Sequence, residues 1–461
     1  MNNTTTPPYT FSTDWLASDP VFYNTVSGKA SHNIHEVIDY SNIDFHPEGL
    51  KNYLRFGYSV FEQTPVKNVK FLPHSAHLQS TAGQLSVIRD KDVAEQFIAG
   101  PEIDEKQVLE ALRASIQEWE QSTTGNIVIP TSGGFDSRIL NEMIRDKQRI
   151  HSYTYGISDN QTSSYEVVFA KKISEILGSN FKQIKIGDFH HYFDAWDSMF
   201  GISTHAHGMY QMEFYDKIKA DNNAGAPLLS GIIGDAWAGS VKISSIESPG
   251  DLFRLGYSHG VHANADECLL QAGDELAGVF YEQNRTKLND PLFRVVEAMR
   301  LKIILLSYLI KVPKQLGFKP WSPFLDPGLA LSMLKITAAR RKDRAWQVDY
   351  FKSRSLYVES LNLKHSKKNT LDRRAMYYVP IRPLDSKILG ELFSRNYIDW
   401  INKHTAPSNN LRDMLDTMTY YPKVGGILKR MGVKDERLSA YNAYLTLKPI
   451  ETLLIKRNSA I

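Results

Sequence analysis

A short run of β-branched residues, a pair of glycines and an apolar helical pattern follow one another between Ile127 and Ile144. Ile127–Pro130 predicts a buried strand, and the apolar residues from Ile139 to Ile144 recur at helical spacing. Gly133 and Gly134 lie in the turn between them, where the absence of Cβ lets a ligand approach the backbone. This order predicts an anion site, because the first N–H groups of the helix point at the turn.

Polar side chains in this turn limit which anion it can bind. Ser132 and Ser137 can donate hydrogen bonds, whereas Asp136 would repel a bare phosphate and therefore indicates a bridging divalent cation, most simply Mg²⁺. The sequence lacks the Gly-Lys-Ser/Thr ending of a Walker A loop and the Gly-x-Gly-x-x-Gly pattern of dinucleotide-binding proteins. Residues 132–137 (Ser-Gly-Gly-Phe-Asp-Ser) resemble instead the PP-loop of the ATP pyrophosphatases, which activate a carboxylate or carbonyl as an adenylate and release pyrophosphate.

Strands and helices alternate around this turn, which predicts an α/β fold with a doubly wound parallel sheet. The predicted helices are residues 107–120 and 163–177, and the predicted strands after the turn are residues 150–155, 181–186 and 227–230. Ligands of such sheets bind at the carboxyl ends of the strands, so the loops after Ile129, Tyr155 and Leu229 are expected to converge on one crevice. After about Asp251 the pattern is mostly helical.

The chain before the sheet predicts a small α+β unit. A helix at Pro47–Phe56 is followed by strands at residues 66–73 and 83–88, whereas the residues up to about Tyr23 show no periodic pattern. We place a domain boundary near Gly100 and Pro101. This divides the chain into an α+β domain at residues 1–100 and a nucleotide-binding domain with a helical C-terminal extension at residues 101–461.

A second loop of small residues follows the predicted strand that ends at Leu229. Residues 230–240 contain one carboxylate, Asp235, whose plain interpretation is a helix cap. If the two loops meet at adjacent strand ends, Asp136 and Asp235 could together hold Mg²⁺ against a triphosphate.

The chain resembles the synthetase domain of the asparagine synthetase family over roughly residues 40–340. Four elements carry the resemblance: residues 132–137 resemble its pyrophosphate loop, 152–156 its second strand end, 230–235 its Ser-Gly-x-Gly-Gly-Asp-Glu loop, and 323–326 its Pro-Phe-Leu-Asp element. The resemblance implies a PP-loop (adenine nucleotide α-hydrolase-like) fold that binds ATP and Mg²⁺. The site residues it implies are Ser132, Gly133, Gly134 and Ser137 around the pyrophosphate, Thr131, Tyr155, Gly156, Ser230 and Gly231 around the nucleoside, and Asp136 and Asp235 as metal ligands and catalytic residues.

The sequence also departs from this family. Ile232 and Ala236 stand where members often have acidic residues that orient substrate or metal, which argues against an aspartate substrate. Residues 1–100 resemble only a truncated, inactive amidotransferase domain, with residues 49–77 similar to its tail. A glutamine-hydrolysing member begins with cysteine after removal of methionine, whereas this sequence begins Met1-Asn2 and its one cysteine is Cys268. An amine or ammonia is therefore expected from elsewhere, for example from a separate glutaminase.

Composition and charge limit the possible functions independently of the motifs. The 461 residues include 54 basic and 51 acidic side chains, and a net charge of +3 does not predict a nucleic-acid or membrane partner. One cysteine excludes an internal disulfide framework and a multi-cysteine metal site. No apolar run approaches the roughly 20 residues of a membrane span, so we expect a soluble cytoplasmic protein.

These features predict an ATP-dependent, AMP-forming ligase that adenylates a carboxylate and transfers it to an amine or ammonia. The family resemblance suggests amidation of a sugar acid in surface-polysaccharide assembly, or macrolactam or peptide amide formation on a natural product of the lasso or β-lactam type. Two other classes stay open. A catalytically inactive nucleotide-binding scaffold would fit Ile232 and Ala236, and a tRNA-modifying enzyme could use the same loop, although the near-neutral charge disfavours it.

Three further features have a plain and a functional interpretation. His205 and His207 have the spacing of a metal pair, but without acidic neighbours they are more typical of the surface or of a substrate pocket. Glu166 is interpreted as a first-turn helix carboxylate. A lysine or arginine from residues 340–342 or 364–374 could stabilise charge in the crevice, whereas the plain interpretation of both runs is an exposed helix end and loop.

Overall fold

The computed structural model describes residues 10–81, 84–256, 260–407 and 435–460. Its first part contains short strands and two helices. The strands are Thr10–Thr13 (β1), Phe22–Asn24 (β2), Ala30–Ser31 (β3), Val69–Phe71 (β4), Ala76–Thr81 (β5) and Gln84–Arg89 (β6), and the helices are Pro47–Phe56 (α1) and Val93–Ile98 (α2). The strands form two antiparallel three-stranded sheets, in the orders β1-β5-β6 and β3-β2-β4.

Helix α1 has the predicted bounds because the local sequence specifies both of its ends. Pro47 occupies the first helical position, and the Nδ1 of His46 accepts a hydrogen bond from the N–H of Gly49 at 3.0 Å. Gly57 ends the helix with a φ of 81°.

Of the two strands predicted in this part, one is shorter than predicted and the other ends one residue later, at Arg89. Residues 66–73 contribute only β4, because the N–H of Val69 bonds to the carbonyl of Val66 in a tight turn before the strand begins. β6 begins at Gln84, and residue 83, its predicted start, lies outside the described residues. β1 and β2 occupy the stretch where the sequence shows no periodic pattern, since strands of three or four residues are too short to display alternation.

A five-stranded parallel sheet follows, in the order β11-β10-β7-β8-β9. Its strands are Ile127–Pro130 (β7), Ile150–Thr154 (β8), Asn180–Gln183 (β9), Pro227–Leu229 (β10) and Lys319–Trp321 (β11). Ile127, Val128 and Ile129 of the central strand β7 are fully buried, as expected of a parallel strand covered on both faces. The predicted α/β fold with a parallel sheet is confirmed.

Both edges of this sheet differ from the prediction. β9 ends at Gln183, three residues early, because its only neighbour in the sheet, β8, ends at Thr154. Ile184 and Ile186 remain buried but are not in a strand. β11 at the other edge is absent from the prediction because Pro320 interrupts its pattern. An edge position tolerates proline, since one side of the strand needs no hydrogen-bond donor.

Helices surround the sheet and form most of the later chain. They are Glu105–Ser122 (α3), Phe135–Met143 (α4), Tyr165–Leu177 (α5), Phe193–Phe200 (α6), Met209–Lys219 (α7), Gly234–Ala238 (α8), Glu275–Leu288 (α9), Pro291–Leu306 (α10), Tyr308–Gln315 (α11), Pro327–Leu334 (α12), Ala338–Arg341 (α13), Ala345–Ser353 (α14), Leu371–Tyr378 (α15), Ser386–Leu389 (α16), Arg395–Thr405 (α17) and Glu436–Ala460 (α18). One hydrophobic cluster extends from Trp15 to Leu454 and includes α1, the parallel sheet and α18. The division near Gly100 and Pro101 stays a prediction. Among the described residues, no helix is both long and apolar enough to cross a membrane.

Candidate active site

A cavity of about 520 Å³ lies at the carboxyl ends of β7, β8 and β10. Its wall contains most of the residues that the sequence analysis assigns to ATP: Thr131, Ser132, Gly134, Asp136, Ser137, Tyr155, Ser230 and Gly231. The loops after β7 and β10 therefore meet in one crevice, at the edge where parallel sheets bind their ligands. The assignment of these residues to ATP stays a prediction.

Gly133 and Gly156 belong to the same predicted set but do not line the cavity. A Cβ atom on Gly133 would lie 2.5 Å from the ring of Tyr165, so this glycine lets the turn pack directly on helix α5. A Cβ atom on Gly156 would lie 2.1 Å from the carbonyl oxygen of Gln161. Both glycines serve close packing beneath the loops, and neither forms part of the cavity wall.

Asp136 and Asp235 lie in the first turns of α4 and α8, and Gly234 lets these helices approach each other. A Cβ atom on Gly234 would lie 3.0 Å from Cγ of Asp136 and 2.8 Å from the ring of Phe324, so a larger residue would push the loops apart. The backbone N–H of Asp235 faces the Asp136 carboxylate and favours its charged form, which lowers the pKa of Asp136. Two loops about 100 residues apart in the sequence thus meet at one carboxyl group.

The Asp136 carboxyl is held in an unfavourable environment for its charge. Oδ1 of Asp136 is buried and has no hydrogen-bond partner. Burial raises the pKa of Asp136 to about 8, the negative charge of Asp235 adds to this rise, and the positive charge of Arg344 opposes it. Asp235 is exposed, and its carboxylate accepts a hydrogen bond from the hydroxyl of Ser240 at 2.9 Å. A strongly perturbed carboxyl group in a cleft is typical of a functional site.

These two carboxylates fit a cation that arrives with a nucleotide. Among the described residues, no group of three or more His, Cys, Asp or Glu side chains is placed to hold a metal ion. Mg²⁺ is usually held by one or two carboxylates together with water and substrate phosphates. The orphaned oxygen of Asp136 beside Asp235 matches that donor set.

Arg138 supports the glycine turn from below and is absent from the predicted site. Its buried guanidinium donates to the carbonyl of Gly133 at 2.8 Å and to both carboxylate oxygens of Glu359 at 2.8 and 2.9 Å. The guanidinium carbon also lies 4.9 Å from the ring centroid of Phe135 and 5.1 Å from that of Phe351. Arg138 therefore links the turn to the segment that contains Glu359.

Asn141 holds the first strand end, the helix and the second strand together. Its Nδ2 donates to Oγ1 of Thr131 at 3.0 Å and to the carbonyl of Ser137 at 2.8 Å, and its Oδ1 accepts from the hydroxyl of Ser152 at 2.8 Å. Asn141 is fully buried. An amide directly after the apolar pair Ile139 and Leu140 is the sequence signal that could have identified it, because buried amides need hydrogen-bond partners.

The cation whose charge acts on the Asp136 carboxyl comes from outside the predicted basic runs. Arg344 lowers the pKa of Asp136, and its guanidinium carbon lies 4.4 Å from the ring centroid of Phe135. Arg340, from the run at residues 340–342, forms an ion pair with Glu105 at 2.7 Å instead. Among the described residues that form the cavity wall there is no lysine or arginine.

The cavity wall also includes Glu166 and His207, which the sequence analysis does not assign to the site. Oε2 of Glu166 is buried without a hydrogen-bond partner, and burial raises the pKa of Glu166. His207 lines the cavity, and its Nε2 lies 3.1 Å from Oδ2 of Asp372. His205 is buried, and its Nδ1 accepts a hydrogen bond from the N–H of His207 at 3.2 Å. The acidic neighbour of His207 lies 165 residues away in the sequence, so spacing alone does not reveal it.

No protein-family model matches the chain, and no curated protein matches it. Among solved structures, the chain is similar to the NH3-dependent NAD synthetase from Campylobacter jejuni subsp. jejuni NCTC 11168 in complex with the nitrate ion. The identity is 15%, the match covers 54% of this chain and 96% of that chain, and the TM-score is 0.21. A likeness at this level assigns no family, and the resemblance to asparagine synthetases stays a prediction.

Proposed function

We propose that this protein is an ATP-dependent, AMP-forming amide ligase of the PP-loop class. A substrate carboxylate attacks the α-phosphorus of ATP, pyrophosphate leaves, and an amine or ammonia then displaces AMP from the acyl-adenylate. The observation that carries the proposal is the Asp136 carboxyl, which lines a crevice of suitable size, lies beside Asp235 and has a buried Oδ1 without a hydrogen-bond partner. Packing alone does not explain it, because an unsatisfied buried oxygen destabilises the fold.

The first step needs a cradle for the leaving pyrophosphate. Helix α4 has Gly134 as its N-cap without a side-chain cap, so its first N–H groups can bind an anion. The Ser132 N–H donates to Oγ of Ser137 at 3.1 Å, which keeps both hydroxyls at the same turn. Asp136 and Asp235 would hold Mg²⁺, which when bound neutralises charge on the β- and γ-phosphates.

The remaining residues of the cavity wall can contact the nucleoside of ATP and the substrate acid. We assign the nucleoside to Thr131, Tyr155, Ser230 and Gly231, which line the cavity at the strand ends. Ile232 also lines it and is 4% exposed, so the acid meets an apolar wall where the asparagine synthetase family often has a carboxylate. This supports an acid other than aspartate. A sugar acid is our first candidate because the loop is built of small residues, and a peptide or natural-product carboxylate is the second.

An inactive nucleotide-binding scaffold is the second candidate function. Ala236 is 1% exposed and, like Ile232, is apolar where that family often has an acidic residue. Such a protein would keep the cradle at residues 132–137 and bind ATP, but it would not turn it over.

The two candidates differ in pyrophosphate release. The protein is incubated with ATP, Mg²⁺ and a panel of uronic acids, amino acids and short peptides. We expect release with at least one acid and its loss in Asp136→Asn. Asp194→Asn is the matched control, because Asp194 is likewise the second residue of its helix but is exposed outside the cavity. Undiminished release in Asp136→Asn contradicts the mechanism, and ATP binding without release for any acid identifies the scaffold.

A further inference from the structure

Aromatic side chains form a second part of the same cavity wall. The ring centroid of Tyr155 lies 5.8 Å from that of Tyr210 and 5.1 Å from that of Phe214, and Tyr215 also lines the cavity. Nε2 of Gln211 donates a hydrogen bond to the Tyr155 hydroxyl at 3.1 Å. We call these five residues the aromatic wall. Apart from Tyr155, the proposed ATP cradle does not use them.

His207 and Asp372 join this wall as a partly buried pair. Nε2 of His207 lies 3.1 Å from Oδ2 of Asp372, and their side chains are 27% and 16% exposed. The His207 ring centroid lies 5.4 Å from that of Tyr210. Burial lowers the pKa of His207, but the Asp372 carboxylate outweighs burial and raises it overall. The other titratable groups that face the pair are His205 and Tyr210 near His207, and His190 and Tyr441 near Asp372.

The charge of the cavity favours a cation. Its wall contains the carboxyl groups of Asp136, Glu166 and Asp372 and, among the described residues, no lysine or arginine. Asp136 is assigned to Mg²⁺ in the proposed function, which leaves Glu166, Asp372 and the aromatic rings for a second positive group. Aromatic faces attract ammonium groups, and the attraction strengthens as water is excluded.

An amine that accepts the acyl group carries such a positive charge, and it needs a base before it can react. An alkylamine is protonated at neutral pH and carries no free electron pair, so it has to lose a proton before it can attack a carbonyl carbon. A histidine held by a carboxylate can take that proton, and the carboxylate stabilises the imidazolium that forms.

We propose that the aromatic wall binds an organic primary amine as acyl acceptor and that His207 is its catalytic base, with Asp372 as the positioning residue. This assignment rests on the proposed adenylation. His207 takes one ammonium proton, the nitrogen forms a C–N bond to the acyl carbon, and the C–O bond to AMP breaks with its electron pair on AMP. The second proton leaves to solvent as the adduct collapses. Nitrogen, oxygen and charge balance without an oxidant or reductant.

The test separates adenylation from transfer. With an acid that supports pyrophosphate release, ATP–pyrophosphate exchange without amine measures adenylation, and benzylamide formation from benzylamine measures transfer. We expect His207→Gln to keep exchange within about twofold and to lower benzylamide formation by about 10²-fold or more, the usual contribution of a general base. Asp372→Asn is expected to show a smaller loss of the same kind.

Hydroxylamine as acceptor distinguishes a catalytic role of His207 from a purely structural one. It is a much weaker base than benzylamine and is neutral at neutral pH, so His207→Gln should form hydroxamate at the wild-type rate. His77→Gln is the matched control, because His77 is paired with Asp90 at 2.7 Å and does not line the cavity. Circular dichroism and thermal unfolding check that each variant is folded.

The possible failures are distinguishable. Equal losses with benzylamine and hydroxylamine, or an equal loss of exchange, overturn the base assignment and leave the ligase intact. Amide formation from ammonium chloride at concentrations where benzylamine is inert overturns the organic-amine assignment. Absence of exchange and of pyrophosphate release in the wild type for every acid refutes the ligase and this assignment with it.

Discussion

Replacing Asp136 by asparagine should stabilise the protein while it abolishes turnover. The pKa of Asp136 rises from its ordinary value of 3.8 to about 8. At about 1.4 kcal/mol for each pKa unit, an ionised Asp136 costs about 6 kcal/mol in the folded state. Relaxation of the site and entry of water reduce such penalties, so we expect Asp136→Asn to raise the free energy of unfolding by about 3 kcal/mol at alkaline pH.

The pH dependence of this gain follows from proton linkage. Between pH values of about 4 and about 8, the folded protein holds the Asp136 proton and the unfolded chain does not, so wild-type stability falls as the pH rises. The advantage of Asp136→Asn is therefore small near pH 4, grows through this window and becomes constant above about pH 8.

Urea unfolding at a series of pH values, without Mg²⁺, measures the difference between the two proteins. Asp194→Asn is again the control, and its stability difference from the wild type should not grow over the same window. A gain in Asp136→Asn that is independent of pH, or a loss of stability at alkaline pH, would refute the account of the Asp136 environment.

Three further outcomes are expected. Binding of Mg²⁺ and ATP near neutral pH should release about one proton from Asp136, and calorimetry in buffers of different ionisation enthalpy measures it; no difference between buffers would contradict this. Arg138→Met should weaken ATP binding and lower the free energy of unfolding by about 3 kcal/mol, because the turn and Glu359 both lose their partner. Adding Glu359→Gln to this variant should restore part of the stability, whereas ATP binding should stay weakened. Gly133→Ala should weaken ATP binding by displacing the turn, because its Cβ would lie 2.5 Å from the ring of Tyr165. Gly278→Ala, whose Cβ would meet no atom within 4 Å and which does not line the cavity, should bind ATP normally; equal effects would rule out the packing role.

The parts of the fold that local sequence specifies were predictable. The bounds of α1 follow from Pro47 and Gly57, and the order of strand, turn and helix at Ile127–Met143 follows from the apolar pattern. The edges of the sheet were not, because β11 contains Pro320 and the end of β9 depends on where its neighbour β8 stops. Pairing partners set those limits, and a single sequence does not contain them.

The candidate site, like the fold, was predictable only in part. Asp136 and Asp235 could be singled out because each follows a strand within a loop of small residues. Arg138 could not, since an arginine in an early helical turn usually faces solvent, whereas here Glu359 and two aromatic rings bury it. The pairing of His207 with Asp372 joins residues 165 positions apart, and only the folded chain reveals it.

The most direct test of the proposed function follows the oxygen atoms of the acid. An acid that supports pyrophosphate release is labelled with ¹⁸O in its carboxylate and turned over with ATP, Mg²⁺ and amine. Attack of the carboxylate on the α-phosphorus predicts one labelled oxygen in AMP, with none in pyrophosphate. Label in inorganic phosphate with formation of ADP, or unlabelled AMP, would contradict adenylation in the crevice of Asp136 and Asp235.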